Sequence, residues 1–154
     1  MDYFPASSNA RSVGQRLIDV LAASDAVRAS VAYAKALGTA VNVAVVDVSG
    51  VQVAFLRMPG APLHSIDIAI DKAYTAASFG LATSQWHGAL QEHSDAVREG
   101  IVRRPRFIAF GGGLPILEQG LRIGGIGVSG GSEEQDEAIA QAGLKAIGLA
   151  SSQT

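Results

Sequence analysis

The stretch Gly111–Asp136, GGGLPILEQGLRIGGIGVSGGSEEQD, decides how this chain folds. Three consecutive glycines open it. Leu114–Leu117 and Leu121–Ser129 then read as strands flanking a turn at Glu118-Gln119-Gly120. Ser132 and Gln135 have capping-box spacing, which predicts a helix start. Glycine at this density marks a backbone that turns tightly or lies directly against another element. That element is a helix, a second subunit or a ligand, and the choice is most of the functional question.

A phosphate cradle is the first ligand to weigh. Gly124-Gly125-Ile126-Gly127 and Gly130-Gly131 have the density, but no Gly-Lys-Ser/Thr follows them. Glu133 and Glu134 stand in the first turn of the following helix, where they complement its dipole and repel a phosphate. Close packing of a helix on the strand is the better reading.

Outward from this tract, Val41–Val48 reads as a valine-rich strand, Ser49-Gly50 as a hairpin turn, and Val51–Met58 as the return strand. Val51, Val53, Phe55 and Arg57 share one of its faces by the period of two. Helical spacing marks Arg11–Ala23 and a restart at Ser24 that ends at Gly38, or one long kinked helix over both. Ser65 is the expected cap of a helix running to Phe79, with Gly80 ending it. Lys72 falls beside Ile68, Thr75 and Phe79, away from the core face Ile66, Ile70, Ala73 and Ala77. Two covered sides predict a partner subunit or a ligand on the second. Trp86, Leu90, His93 and Val97 make one stripe of a further helix, and Phe107–Phe110 reads as a strand. Hairpin-linked strands between helices give an α+β fold with an antiparallel sheet.

Composition excludes several classes. The chain has 154 residues, enough for one domain with a real core. It is 48% apolar with only 6% aromatics, so small residues carry the packing. A net charge of -2 supplies no bulk attraction to nucleic acid. Cysteine is absent, which removes disulfides and thiolate chemistry. The N-terminus has no secretory pattern and no apolar run reaches membrane-spanning length, so the expected location is cytoplasmic.

The candidate chemistry lies in a few polar residues. Arg57 and Lys72, close to small apolar surface, are a candidate carboxylate clamp; the bland alternative is a salt bridge to Asp47, Asp71 or a first-turn glutamate. His64 sits in a loop just before a helix, and Glu134 on a rigid helix start; both are candidate proton shuttles. Gly111, Gly112 and Gly113 offer backbone N–H groups to a developing enolate, with Ser129 nearby. Arg106, in the cluster Arg103–Arg106, reads as a solvated turn or as a steering charge for an acidic small molecule. No histidine pair has metal-ligand spacing, so no metal is expected.

The pattern Val45-Val46-Asp47 through Gly50, then Arg57, SIDIAIDKAYTA (Ser65–Ala76), FGGGLPI (Phe110–Ile116) and GGIGVSGGSEEQDEAIA (Gly124–Ala140) resembles the GlcG/HbpS family, which includes the C-terminal domain of PduO-type proteins. The resemblance covers residues 24–150, leaving 1–23 as an arm with an extra helix and 151–154 as a tail. It implies a profilin-like α/β/α sandwich around a five-stranded antiparallel sheet, and a homo-oligomer built from dimers into tetramers or octamers. Some members bind haem or assist its degradation; others resemble accessory enzymes of aromatic ring cleavage. In the PduO-like pattern a histidine stands near the start of the domain, whereas the first histidine here is His64. The expectation drawn from all this is a cofactor-independent enzyme. It performs acid–base chemistry, such as tautomerisation, hydration or dehalogenation, on a small unsaturated carboxylate. The alternative is a haem- or tetrapyrrole-binding protein with no chemistry of its own.

Overall fold

The computed structural model describes residues 9–149. Among them stand α1 (Val20–Leu37), β1 (Asn42–Asp47), β2 (Gln52–Arg57), α2 (His64–Phe79), a 3-10 turn at Thr83–Gln85, α3 (Trp86–Leu90), α4 (Asp95–Ile101), β3 (Gly113–Glu118), β4 (Leu121–Ser129) and α5 (Glu133–Ala146). The four strands form one antiparallel sheet in the order β2-β1-β4-β3. Residues of α1 and α5 pack on one face, with Val43, Val45, Ile126, Val128, Leu114 and Ile116. The opposite face, with Ala44 and Val46, takes α2. The α+β class, the antiparallel sheet and the layering are therefore as expected.

Local chemistry accounts for the elements. β1 is central and buried along its length, as valine on both faces requires. Asp47 Oδ1 accepts from Ser49 N at 2.8 Å and Val51 N at 3.2 Å, which closes the first hairpin at Gly50. Gln119 and Gly120, with φ of 51° and 78°, make the two-residue turn of the second. The capping box of α5 is present: Gln135 N donates to Ser132 Oγ at 3.1 Å, and Ser132 N to Gln135 Oε1 at 3.0 Å.

Five expectations are corrected. The sheet has four strands, not five. Phe107–Phe110 is not a strand; there Thr75 Oγ1 donates to the Arg106 carbonyl at 2.9 Å and accepts from Ile108 N at 3.1 Å, so a side chain from α2 satisfies this backbone. The helix expected over Arg11–Ala23 starts only at Val20, because Asp19 caps it by accepting from Leu21 N and Ala22 N; Ser24 lies inside it. Ser65 is not a cap: α2 begins at His64 without a side-chain cap, and Ser65 is buried. The shared face of β2 is split as well. A bulge opposite Val45/Val46 turns Val53 toward the α1/α5 side, while Phe55 packs on the α2 side.

The glycines of β4 do what the opening stretch predicted. A Cβ on Gly125 or Gly127 would collide with the Ala73 or Ala69 carbonyl of α2. Helix backbone therefore lies on strand backbone, with alanines as the spacing residues. Gly127→Ala is expected to lower stability by about 2–3 kcal/mol in urea unfolding, since two backbones rather than one flexible side chain must move. A change within experimental error would mean that helix and strand are not in this close contact.

Candidate functional site

The triple-glycine turn lies on Lys72. A Cβ on Gly112 would stand 2.6 Å from Lys72 Nζ, and one on Gly113 2.6 Å from the Lys72 carbonyl. Gly112 has φ of 127°, a conformation open to glycine and strained for other residues. Beneath the turn, Lys72 is 1% exposed. Its ammonium donates to the Val128 carbonyl at 2.8 Å and to Asp136 Oδ2 at 3.1 Å, with the Phe110 ring centroid 5.1 Å away. Asp136 Oδ1 accepts from Gly131 N at 2.8 Å. Burial pulls the Lys72 pKa below its ordinary value and pushes that of Asp136 above; their mutual attraction opposes both shifts.

The second covered side of α2 is thus covered by the chain itself at Lys72 and Thr75. Lys72 does form a salt bridge, but with Asp136 rather than with Asp47, Asp71 or a first-turn glutamate. The turn is also committed: Gly111 N donates to Glu133 Oε1 at 2.7 Å and Gly113 N to Thr83 Oγ1 at 2.8 Å. Two of its three N–H groups are therefore not available to an enolate.

The other expected site residues fall elsewhere. Arg57 lies in register opposite Asn42, and Asn42 opposite Ser129, so these three form one row across β2, β1 and β4. His64 and Glu134 are exposed, and neither side chain hydrogen-bonds to another among the described residues. His93, expected on a buried stripe with Trp86, is exposed, because the stripe is broken between α3 and α4. Among the described residues no group of three or more histidines or carboxylates could hold a metal ion. None of the described helices is long and apolar enough to cross a membrane.

Arg106 belongs to a third place. It occupies positive φ (68°), donates from Nε to Asp71 Oδ1 at 3.1 Å, and holds its guanidinium 3.6 Å from the Tyr74 ring centroid. It borders a cleft of about 230 Å³ walled by Tyr74, Phe79, Ile101, Pro105 and Phe107. Behind the wall Trp86 meets Phe107 at 4.9 Å and Phe79 at 4.8 Å, both edge to face. Arg104 also lines the cleft, and it has no ion-pair partner among the described residues. Reading 103–106 as a solvated turn or a steering charge did not reveal this cleft. The available signal was the apolar residues Ile101, Pro105 and Phe107 set before, within and after the arginine cluster.

Comparison with known proteins follows the same lines. The family model described as "Haem degrading protein HbpS-like" matches residues 18–145. The corrinoid adenosyltransferase PduO of Citrobacter freundii is 37% identical over 122 residues, a region covering 79% of this chain and 36% of that protein. The chain thus spans little more than a third of that relative's length. The crystal structure of the Klebsiella pneumoniae protein ORFY superposes with a TM-score of 0.84 at 33% identity, covering 92% of this chain and 98% of the other. A crystal structure of a PduOC:heme complex superposes with a TM-score of 0.80 at 34% identity, covering 89% and 99%.

Proposed function

The chain belongs to the HbpS-like family, and on that premise we propose that it binds haem or a related tetrapyrrole. The observation that carries the reading is the aromatic cleft edged by Arg104 and Arg106. A tetrapyrrole is a flat apolar disc with carboxylates at one edge. It needs an apolar wall for the ring and cations at the rim. Phe79, Ile101, Pro105 and Phe107 supply the wall. Arg104 supplies the unpaired cation, and Arg106 a second one shared with Asp71. The similarity to a haem-bound PduO domain supports the same ligand class.

The residues fit the ring and its propionates. No histidine lines the cleft, so the ring is held by packing and charge; Tyr74 is the wall residue whose oxygen is of an axial-ligand kind. Bound haem would supply an iron centre, while this chain's part is to shield one ring face and anchor the carboxylates. Acid–base chemistry on a small dienoate has no comparable support, since His64 and Glu134 are both exposed and two of the three glycine N–H groups are used.

Hemin titration followed at the Soret band tests the proposal. The expected result is a saturable shift at one hemin per chain, with a dissociation constant in the micromolar range or tighter, on the order of 8 kcal/mol. A spectrum identical to that of free hemin at every ratio would reject it.

A further inference from the structure

We propose that the row Arg57–Asn42–Ser129, together with Ser65 of α2, is a second binding site, for a small carboxylate. Three observations converge on it. Asn42 is fully buried, and its Nδ2 has no hydrogen-bond partner. Such an orphan donor is rare in a folded protein and marks a place where an acceptor belongs. Its orientation is set by Arg57, whose Nη1 donates to Asn42 Oδ1 at 3.2 Å, leaving the amide hydrogens to the rest of the row.

The second observation is the position of the row. Ala44 and Gly127, two residues along β1 and β4, face α2, so Asn42 and Ser129 face it too. Gly125 meets Ala73 and Ala77, and Gly127 meets Ala69 and Ala73. The same progression brings the next turn back, that of Ser65, over Ser129. This is the N-terminal end of a 16-residue helix that has no side-chain cap; the Ser65 and Ile66 N–H groups donate to the Pro62 and Leu63 carbonyls, and the helix dipole favours an anion there.

The third is the chemistry of the groups. Ser65 and Ser129 are both buried residues, and each brings a hydroxyl to the row. Arg57 spends Nη2 on the Ala61 carbonyl at 2.6 Å, which ties down the chain leading into α2 and keeps the guanidinium beside Asn42. The cluster thus offers an amide, two hydroxyls and a single cation. Asp67, the acid of the helix's first turn, is exposed. One cation with neutral donors suits a monoanion with planar oxygens, a carboxylate rather than a phosphate. The site lies at the opposite end of α2 from Phe79 and the aromatic cleft, and it does not depend on haem.

The test is a titration of the full chain with propionate, and separately with inorganic phosphate, followed by ¹H–¹⁵N NMR. The readouts are the Asn42 side-chain amide and the Ser129 backbone amide. Propionate is expected to shift both saturably at millimolar concentration. Arg57→Lys, which keeps the charge and loses the fork, should weaken binding about tenfold, and Ser129→Ala about fivefold, with the remaining spectrum unchanged. The proposal is overturned if the Asn42 amide responds to neither anion, as it would were a buried water its partner. A stronger response to phosphate, or equal affinity in Arg57→Lys, overturns the carboxylate assignment.

Discussion

Asp136→Asn is expected to destabilise the protein by about 3–5 kcal/mol near neutral pH, among the largest effects of any single polar substitution here. The change is isosteric and keeps an oxygen for the Gly131 N–H. It leaves the Lys72 ammonium, 1% exposed, without its counter-charge beneath the glycine turn. The pH dependence follows from the direction of the Lys72 shift. Its folded-state pKa already lies below 10.5, and loss of Asp136 removes the attraction that holds it up. Between that lowered value and 10.5 the unfolded chain binds more protons than the folded one, so stability rises with pH across this window. The Asp136→Asn deficit should therefore shrink as pH rises toward 10.5.

A second substitution separates a lost interaction from a stranded charge. Lys72→Met added to Asp136→Asn removes the unpaired cation, and the double variant should recover most of the stability. Urea unfolding of the three variants checks both statements. A loss below about 1 kcal/mol for Asp136→Asn would show that the pair is not buried as described.

The second large effect concerns the cleft. Phe107→Glu is expected to weaken hemin binding by about 3 kcal/mol, roughly a hundredfold, because it replaces ring-contact area with a charge in an apolar wall. Phe107 also contacts Trp86 and Phe79, so a control outside the aromatic cluster is needed. Arg104→Glu serves: Arg104 is exposed and has no ion pair to lose among the described residues. It should weaken hemin about tenfold with thermal stability unchanged, by replacing attraction for a propionate with repulsion. Unchanged hemin affinity in both variants would move the ligand to another surface.

What could be read from the sequence was local. Gly38 and Gly80 end their helices in the left-handed region, Ser132 and Gln135 cap α5, and Gly50 turns the first hairpin. In each case residues close in sequence carry the signal. The glycines of β4 were legible as close-packing positions, although the sequence could not say that α2 was their partner.

The misreadings came from long-range pairing. Phe107–Phe110 has the composition of a strand, but Thr75, more than thirty residues earlier, satisfies its backbone. Asp136 stands among the acids of a helix start, yet its position on α5 turns it inward to Lys72, 64 residues away. Asn42 drew no attention inside a valine strand; only strand register sets it between Arg57 and Ser129. The cleft was hidden for a related reason. Its walls come from α2, α4 and the turn after α4, so no single segment shows the aromatic surface.

The claim on which the functional reading rests is that a tetrapyrrole is held by the aromatic cleft and not by histidine ligation. The most direct measurement is a hemin titration at the Soret band of a variant lacking all three histidines, His64→Ala/His87→Ala/His93→Ala, beside Phe107→Glu and the unaltered chain. The histidine-free variant is expected to bind within about threefold of the unaltered chain, under 1 kcal/mol, while Phe107→Glu loses binding. Loss of the bound Soret band in the histidine-free variant, with Phe107→Glu still binding, would contradict it.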